Sequence, residues 1–355
     1  MVNKAAILRC SGVFCSSLLF LFCEPDDISV KQFTVRTVAF YNVENLFDTI
    51  NDTLVYDDDK TPSGKDKWTN ERYEKKIGDI SRVIAEIGFE ISGSSPDIVG
   101  LCEVEKQNVI EDLIHHPNLL SKNYGIIHKD SPDERGIDVG LIYKKSVFLP
   151  ISFVSHRLLL LDERQERDYT RDQLVVGGML ENKLIHLIVN HWPSRSGGEA
   201  RSRHGRIAAA RLNKRIIDSI LIVAPTSGII ILGDFNDNPT DDSLKKVLSA
   251  RPDQNNLSSD ELFNPMESLY KKGYGSLAYR DEWSLFDQIL LTPNFVGKTE
   301  INMSFWKVGI YNPSYLITQN GRFKDYPFRT YAGGRYTGGF SDHFPVYIAL
   351  LREMD

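Results

Sequence analysis

Cysteine is scarce and badly placed for cross-linking. The 355-residue chain has four, Cys10, Cys15, Cys23 and Cys102, and three of them fall in the first 23 residues. What remains cannot build a disulfide framework. No two cysteines have the CxxC spacing of a zinc site. A basic excess is also missing: 42 Lys and Arg face 48 Asp and Glu, for a net charge of -6. A protein that clamps long stretches of nucleic acid ordinarily carries the opposite balance, because its affinity comes from neutralised phosphates. A nuclease touching only a few phosphates is not excluded. Long apolar runs are absent too. The one candidate, at 13–22, is too short to cross a bilayer. From about residue 29 onward there is no repeat, low-complexity block or strong linker.

Lys4 and Arg9 precede that apolar run, and Cys23 closes it before an acidic stretch. Residues 1–23 therefore read as a secretory signal peptide, with a buried N-terminal strand or helix as the competing reading. The expected destination is the periplasm, the medium or the cell surface. In the last case a lipid on Cys23 would be the only membrane attachment. A lipid-modified cysteine usually follows a small residue, and here Phe22 precedes it. The whole chain is 41% hydrophobic and 25% charged, the make-up of a globular protein, and the rest, 29–355, reads as one domain. It is long enough to bury a large core unaided.

Apolar spacing divides this domain into many strands and two good helices. Tyr73, Ile77, Ile80, Ile84 and Ile87 recur at alternating four- and three-residue steps, predicting a helix capped by Thr69 or Asn70. Ala209, Leu212, Ile216, Ile220 and Val223 predict a second helix over 200–222. Strands are expected at 34–40, 97–101, 124–127, 138–143, 156–161, 174–180, 184–189, 228–232, 285–291 and 344–351. Sheets packed together, with helices on their outer faces, satisfy all of these apolar stripes in one α/β domain. The acidic 51–66 stretch reads as a solvated loop. The paired glycines at 333–334 and 338–339 read as a flexible loop on the rim of a site.

Several of these strands end in acids, amides or imidazoles, which are destabilising if buried without partners. Asn42 and Glu44 follow the first strand and would share a face if the chain stayed extended. Glu103 ends another, as a hard oxygen ligand for an ion such as Mg²⁺ would. His191 ends a third, and an imidazole there can donate to a phosphoryl oxygen or move a proton near neutral pH. Asp234 and Asn236 follow Gly233. Adjacent Asp342 and His343 allow one side chain to reach a metal and the other a phosphate, with Asp287 orienting the His343 ring. Each segment alone has a bland reading: a turn, a surface acid or a core histidine. Residues 195–215 hold seven basic residues against one acid. Arg211, Lys214 and Arg215 read as a solvated helix face, whereas Arg195 and Arg135 are candidates for contact with substrate.

Taken in order, these segments resemble the endonuclease/exonuclease/phosphatase superfamily over residues 33–351, in the manner of a secreted bacterial deoxyribonuclease I-like member. The resemblance implies a four-layer α/β/β/α sandwich of two mixed sheets. It implies a metal cluster of Asn42, Glu44, Glu103 and Asp342. Asp234 would activate water, Asn236 and His343 would contact phosphate, Asp287 would orient His343, and His191 would be the second imidazole. Mg²⁺ is the implied cofactor, with Mn²⁺ or Ca²⁺ as alternatives. The implied reaction is in-line attack of water on a phosphate ester. DNA or RNA is the first expectation for the substrate, and a phosphomonoester or a lipid phosphodiester the alternative. An inactive surface-binding protein on the same fold is the reading of another class. A monomer without a stable protein partner is expected. The pattern departs in three places: Cys102 stands where an amide usually precedes the metal Glu, Asn190 adjoins His191 directly, and Leu285 replaces a basic residue two before Asp287.

Overall fold

The computed structural model describes residues 18–21, 30–162, 164–297 and 301–354. The expected signal peptide lies almost wholly outside them, as do Cys10, Cys15 and Cys23. Only the backbone of Leu18–Leu21 is described, and it pairs antiparallel with residues 30–33.

Two seven-stranded sheets make up the centre. The first runs Met303–Ile310, Val346–Glu353, Val30–Leu46, Ile98–Val104, Asp138–Lys144, Tyr124–His128, with Leu18–Leu21 beside the start of Val30–Leu46. The second runs Ala250–Arg251, Leu262–Phe263, Asp287–Leu291, Gly228–Asp234, Lys183–His191, Gln173–Leu180, Phe148–His156. Each sheet is mixed. Val30–Leu46 lies parallel to Ile98–Val104, and Lys183–His191 lies parallel to Gly228–Asp234.

Alternation along the strands sorts side chains into three layers of core. Val38 and Phe40 face the second sheet, whereas Ala39, Tyr41 and Val43 face the helices Asn70–Glu86 and Gln107–His115. In the other sheet, Ile230 and Leu232 face inward, while Ile229 and Ile231 meet the Glu199–Val223 helix. The result is the expected α/β/β/α sandwich. The Asn70–Glu86 helix is capped by the Thr69 hydroxyl, which accepts from Arg72 N at 3.5 Å. Its isoleucines at 77, 80, 84 and 87 are all buried.

Three expectations need correction. The strand placed at 156–161 is really Phe148–His156, followed after a break by Leu160–Leu161. The predicted stripe of the second helix ends early, because Val223 is 86% exposed. The glycine-rich loop contains a small hairpin, Tyr331–Ala332 against Arg335–Tyr336, with Gly333 and Gly334 at positive φ in its turn.

Candidate active site

The two central parallel pairs end side by side, and their polar residues point into the gap between the sheets where the apolar core stops. Asn42 has the parity of Val38 and Phe40. His191 has that of Leu187 and Val189, Asp234 that of Ile230 and Leu232, and Asp287 that of Ile289 and Leu291, all inward-facing. Register aligns them further: His191 lies opposite Asp234, and Asp234 opposite Asp287. Gly233 is required for this approach, since a Cβ there would sit 2.5 Å from the Asn190 Cβ and carbonyl oxygen.

Simple alternation does not deliver the other residues. Glu103 has the wrong parity and is turned inward by a left-handed backbone, φ 61°, beside a register shift. Glu44 and Asn236 are also left-handed, at φ 51° and 50°. The extended geometry expected for Asn42–Glu44 and Asp234–Asn236 is therefore not what brings them together. Each pair is instead a tight turn, in which Asn42 Oδ1 accepts from Glu44 N at 3.0 Å and Asp234 Oδ1 from Asn236 N at 2.9 Å. Three left-handed residues other than glycine in one site represent stored backbone strain, which collects where function demands a fixed geometry.

Asn42 ties the sheets together. Its Nδ2 donates to Glu103 Oε1 at 3.2 Å and to Asp234 Oδ2 at 3.1 Å. His191 Nε2 lies 3.8 Å from the same two oxygens. On the other side, His343 Nδ1 is 2.6 Å from Asp287 Oδ2, which also accepts from the Ser276 hydroxyl at 2.5 Å. Ser341 donates its hydroxyl to Asn42 O at 2.7 Å and fixes the turn that presents His343. All the expected residues except Arg135 therefore belong to one connected cluster or its immediate wall, Arg195 only through the Asn236 backbone.

Burial sets the protonation of this cluster. It pushes Asp234 up to about 7; the His343 charge opposes this, and the neighbouring Asp287 carboxylate reinforces it. Burial, then the charges of Arg171 and Arg135, hold His191 well below the usual imidazole value, so it is neutral. Burial pulls His343 down as well, but the charge and hydrogen bond of Asp287 prevail and raise it well above its ordinary value. The two imidazoles are thus shifted in opposite directions.

Glu44 and Asp342 share a cation. Arg329 Nε is 3.2 Å from Glu44 Oε1, and its Nη2 is 2.8 Å from Asp342 Oδ2. Thr330 N donates to the other Glu44 oxygen at 2.5 Å. Burial and the Asp342 charge raise the Glu44 pKa, while Lys76 and Arg329 pull it down. Lys76 itself is fully buried, bonded to Thr330 Oγ1 and Phe340 O, and lowered by burial to about 8. Glu44 and Asp342 meet on Arg329, while Glu103 accepts from the Asn42 amide nitrogen, so these hard oxygen donors are at present held by hydrogen bonds and ion pairs. The His, Cys and Asp groups that lie close enough together to grip one ion in this region, among the described residues, are Cys102, His191 and Asp234, and Asp234, Asp287 and His343. Carboxylate oxygens of this kind suit a hard divalent ion.

Arg195 does not reach this cluster as a substrate contact. Its Nε donates to Asn236 O at 2.8 Å, and its Nη2 pairs with Asp237 and Asp241 at 3.2 and 2.6 Å. It positions the Asn236 turn. Arg135 turns back on Asp133, with Nε 3.2 Å from Oδ1, but its side chain remains 52% exposed at the rim. Sequence reasoning missed Arg329, Lys76, Ser276 and Arg171. Lys76 interrupts the buried face of a helix, a usable signal; the others lie where no periodicity marks them.

A model described as the Endonuclease/Exonuclease/phosphatase family matches residues 37–352. The chain belongs to that family. It is accordingly a metal-dependent phosphoesterase on the fold expected for the family. Solved structures agree in architecture. A humanized D. rerio TDP2 superimposes with a TM-score of 0.52 at 15% identity, covering 89% of this chain and 98% of that one. D. rerio TDP2 complexed with single-strand DNA product gives 0.51 at 15% identity, covering 89% and 98%. A mannosyl-6-phosphatase from Bacteroides thetaiotaomicron VPI-5482 gives 0.53 at 15% identity, covering 89% and 99%. At such identities the likeness is one of fold. Among curated proteins, no sequence matches the chain.

Proposed function

We propose that this site hydrolyses a phosphate ester by in-line attack of water, without a covalent enzyme intermediate. The observation that carries the reading is the His343–Asp287 pair at 2.6 Å, set beside a buried Asp234. Asp234, raised to about 7, is matched to taking a proton from water near neutral pH. His343, kept protonated by Asp287, donates to a phosphoryl oxygen as negative charge builds on it. Asn236 keeps one amide hydrogen for the phosphate while the other is held by Trp192 O at 3.1 Å. Neutral His191 serves as a second donor on the opposite side.

Glu103, Glu44, Asp342 and Asn42 would hold the divalent cation, for which Mg²⁺ or Mn²⁺ fits the oxygen donors. When bound, it supplies Lewis-acid stabilisation of the phosphate oxygens. Arg329 would then be freed from two carboxylates at the mouth of the site.

A phosphodiester of DNA or RNA is the first substrate to test, supported by the TDP2 neighbour that carries a DNA product. A compact phosphomonoester is the second reading, supported by the mannosyl-6-phosphatase neighbour. The deciding experiment is a substrate panel in Mg²⁺, Mn²⁺ and Ca²⁺: single- and double-stranded DNA, RNA, sphingomyelin, hexose phosphates and bis-nitrophenyl phosphate. The wild type should turn over at least the nitrophenyl ester and His343→Ala should not. No turnover with any metal would favour a binding protein instead.

A further inference from the structure

Cys102 takes no part in the chemistry proposed above, yet it lies against the residues that do. It sits opposite Asn42 in the first sheet and belongs to the same inward core layer as Val38, Phe40 and Val189. His191 and Asp234, opposite each other in register, approach it from the second sheet. The Cys102 sulfur, a His191 ring nitrogen and an Asp234 carboxylate oxygen all lie within 4.8 Å of one another. The thiol is in no disulfide.

The His191 ring supplies an independent observation. It is only 5% exposed, and neither of its nitrogens makes a hydrogen bond among the described residues. Its Nε2 is aimed between Asp234 Oδ2 and Glu103 Oε1, 3.8 Å from each. That separation is too long for a hydrogen bond. It is close to the roughly 3.3–3.6 Å expected between two ligands of one tetrahedral ion with bonds of about 2.0–2.3 Å. The spacing suits groups that share a cation rather than a proton. The donor types also say which cation. Mg²⁺ and Ca²⁺ take oxygen ligands. Sulfur, imidazole nitrogen and carboxylate oxygen together match Zn²⁺ and ions like it. Glu44 and Asp342 are held by Arg329 and stay outside this set.

We propose that Cys102, His191 and Asp234 form a second cation site, for a thiophilic divalent ion such as Zn²⁺, and that filling it stops hydrolysis. Binding exchanges the thiol proton, which leaves to solvent, for a sulfur–metal bond. The ion then occupies the carboxylate with which Asp234 would take a proton from water. Inhibition therefore rests on the phosphoesterase reading above, whereas binding does not. Co²⁺ reports thiolate ligation through a sulfur-to-metal charge-transfer band in the near ultraviolet. Added to the full chain it should give this band, Zn²⁺ should displace it, and Cys102→Ala should abolish it. His191→Ala should weaken Co²⁺ binding by at least about tenfold, and it carries the test should the Cys102 variant not fold. In Mg²⁺, Cys102→Ala should hydrolyse bis-nitrophenyl phosphate at the wild-type rate and need at least about tenfold more Zn²⁺ for half-inhibition. A wild type without the band, a band that persists in Cys102→Ala, or equal Zn²⁺ sensitivity of the two proteins would overturn the proposal. If nothing is hydrolysed with any metal, the phosphoesterase reading has failed, and the Co²⁺ band alone decides whether the site exists.

Discussion

His343 carries a charge that its burial opposes, and Asp287 is the reason. Truncating His343 to alanine removes a donor aimed at developing negative charge, and kcat should fall on the order of 10²–10³-fold. Steady-state kinetics on the nitrophenyl ester would show it; a loss under threefold would remove His343 from the chemistry. Arg329 invites the opposite kind of prediction. It occupies two carboxylates that a divalent cation would need, Glu44 and Asp342. Arg329→Ala should therefore tighten Mn²⁺ binding by about tenfold, equivalent to about 1.4 kcal/mol, and lower the Tm of the metal-free protein. Calorimetry reads the first effect directly, and weaker binding would make Arg329 a support for the site rather than a competitor. The strand-end residues were legible because alternation fixes which way Asn42, His191, Asp234 and Asp287 point. Arg329 was not, because loop residues have no period. Arg195 was misread because, in sequence, an arginine near a site looks the same whether it faces a phosphate or a carboxylate forty residues away.

At the scale of elements, the Glu199–Val223 helix shows how far a stripe can be trusted. Leu212 and Ile216 are buried against the second sheet, while Ile222 and Val223 are more than 80% exposed. Leu212→Ala and Ile216→Ala should each destabilise by about 2–5 kcal/mol, and Val223→Ala by no more than about 0.5. Urea unfolding distinguishes them, and equal effects would contradict the observed end of the stripe. The 131–136 loop is pinned differently, by Asp133 bonded to Arg171 at 2.9 Å with both side chains 5% exposed. Burial opposes the Asp133 charge, but Arg171 and Arg135 hold its pKa below the usual carboxylate value. The folded state therefore gains stability from this carboxylate above the ordinary Asp value of about 3.9, and loses it as pH falls through the lower folded value. Asp133→Asn should lower stability by about 3–5 kcal/mol at neutral pH, because it leaves a buried guanidinium uncompensated. Melting curves of the two proteins should converge in strong acid; a gap that widened there would reverse the assignment. The strand Phe148–His156 escaped the sequence reading because it lies at a sheet edge and exposes Leu149, Ile151 and Phe153, which blurs its alternation.

Across the whole molecule, the acidic balance and the concentration of carboxylates at one end of the sandwich point the same way. Mn²⁺ at a hundred times its Kd should stabilise the folded chain by about 2.7 kcal/mol, and EDTA should reverse the shift in Tm. Absence of any shift would mean the oxygen cluster is not a metal site. The sandwich was readable in outline from apolar periodicity, since every stripe had to find a cover. The left-handed turns at Glu44, Glu103 and Asn236 were not, because nothing in those side chains requires positive φ; packing across two sheets imposes it.

The Asn42 amide has a consequence for how such an enzyme tolerates change. One NH₂ group spans the Glu103 and Asp234 carboxylates, each rooted in a different sheet. Slippage of one layer past the other by even an ångström would misplace both partners together. In the proposed mechanism, electrophile and base would thus be geared to a single cog, and a mutation that retuned one would drag the other along.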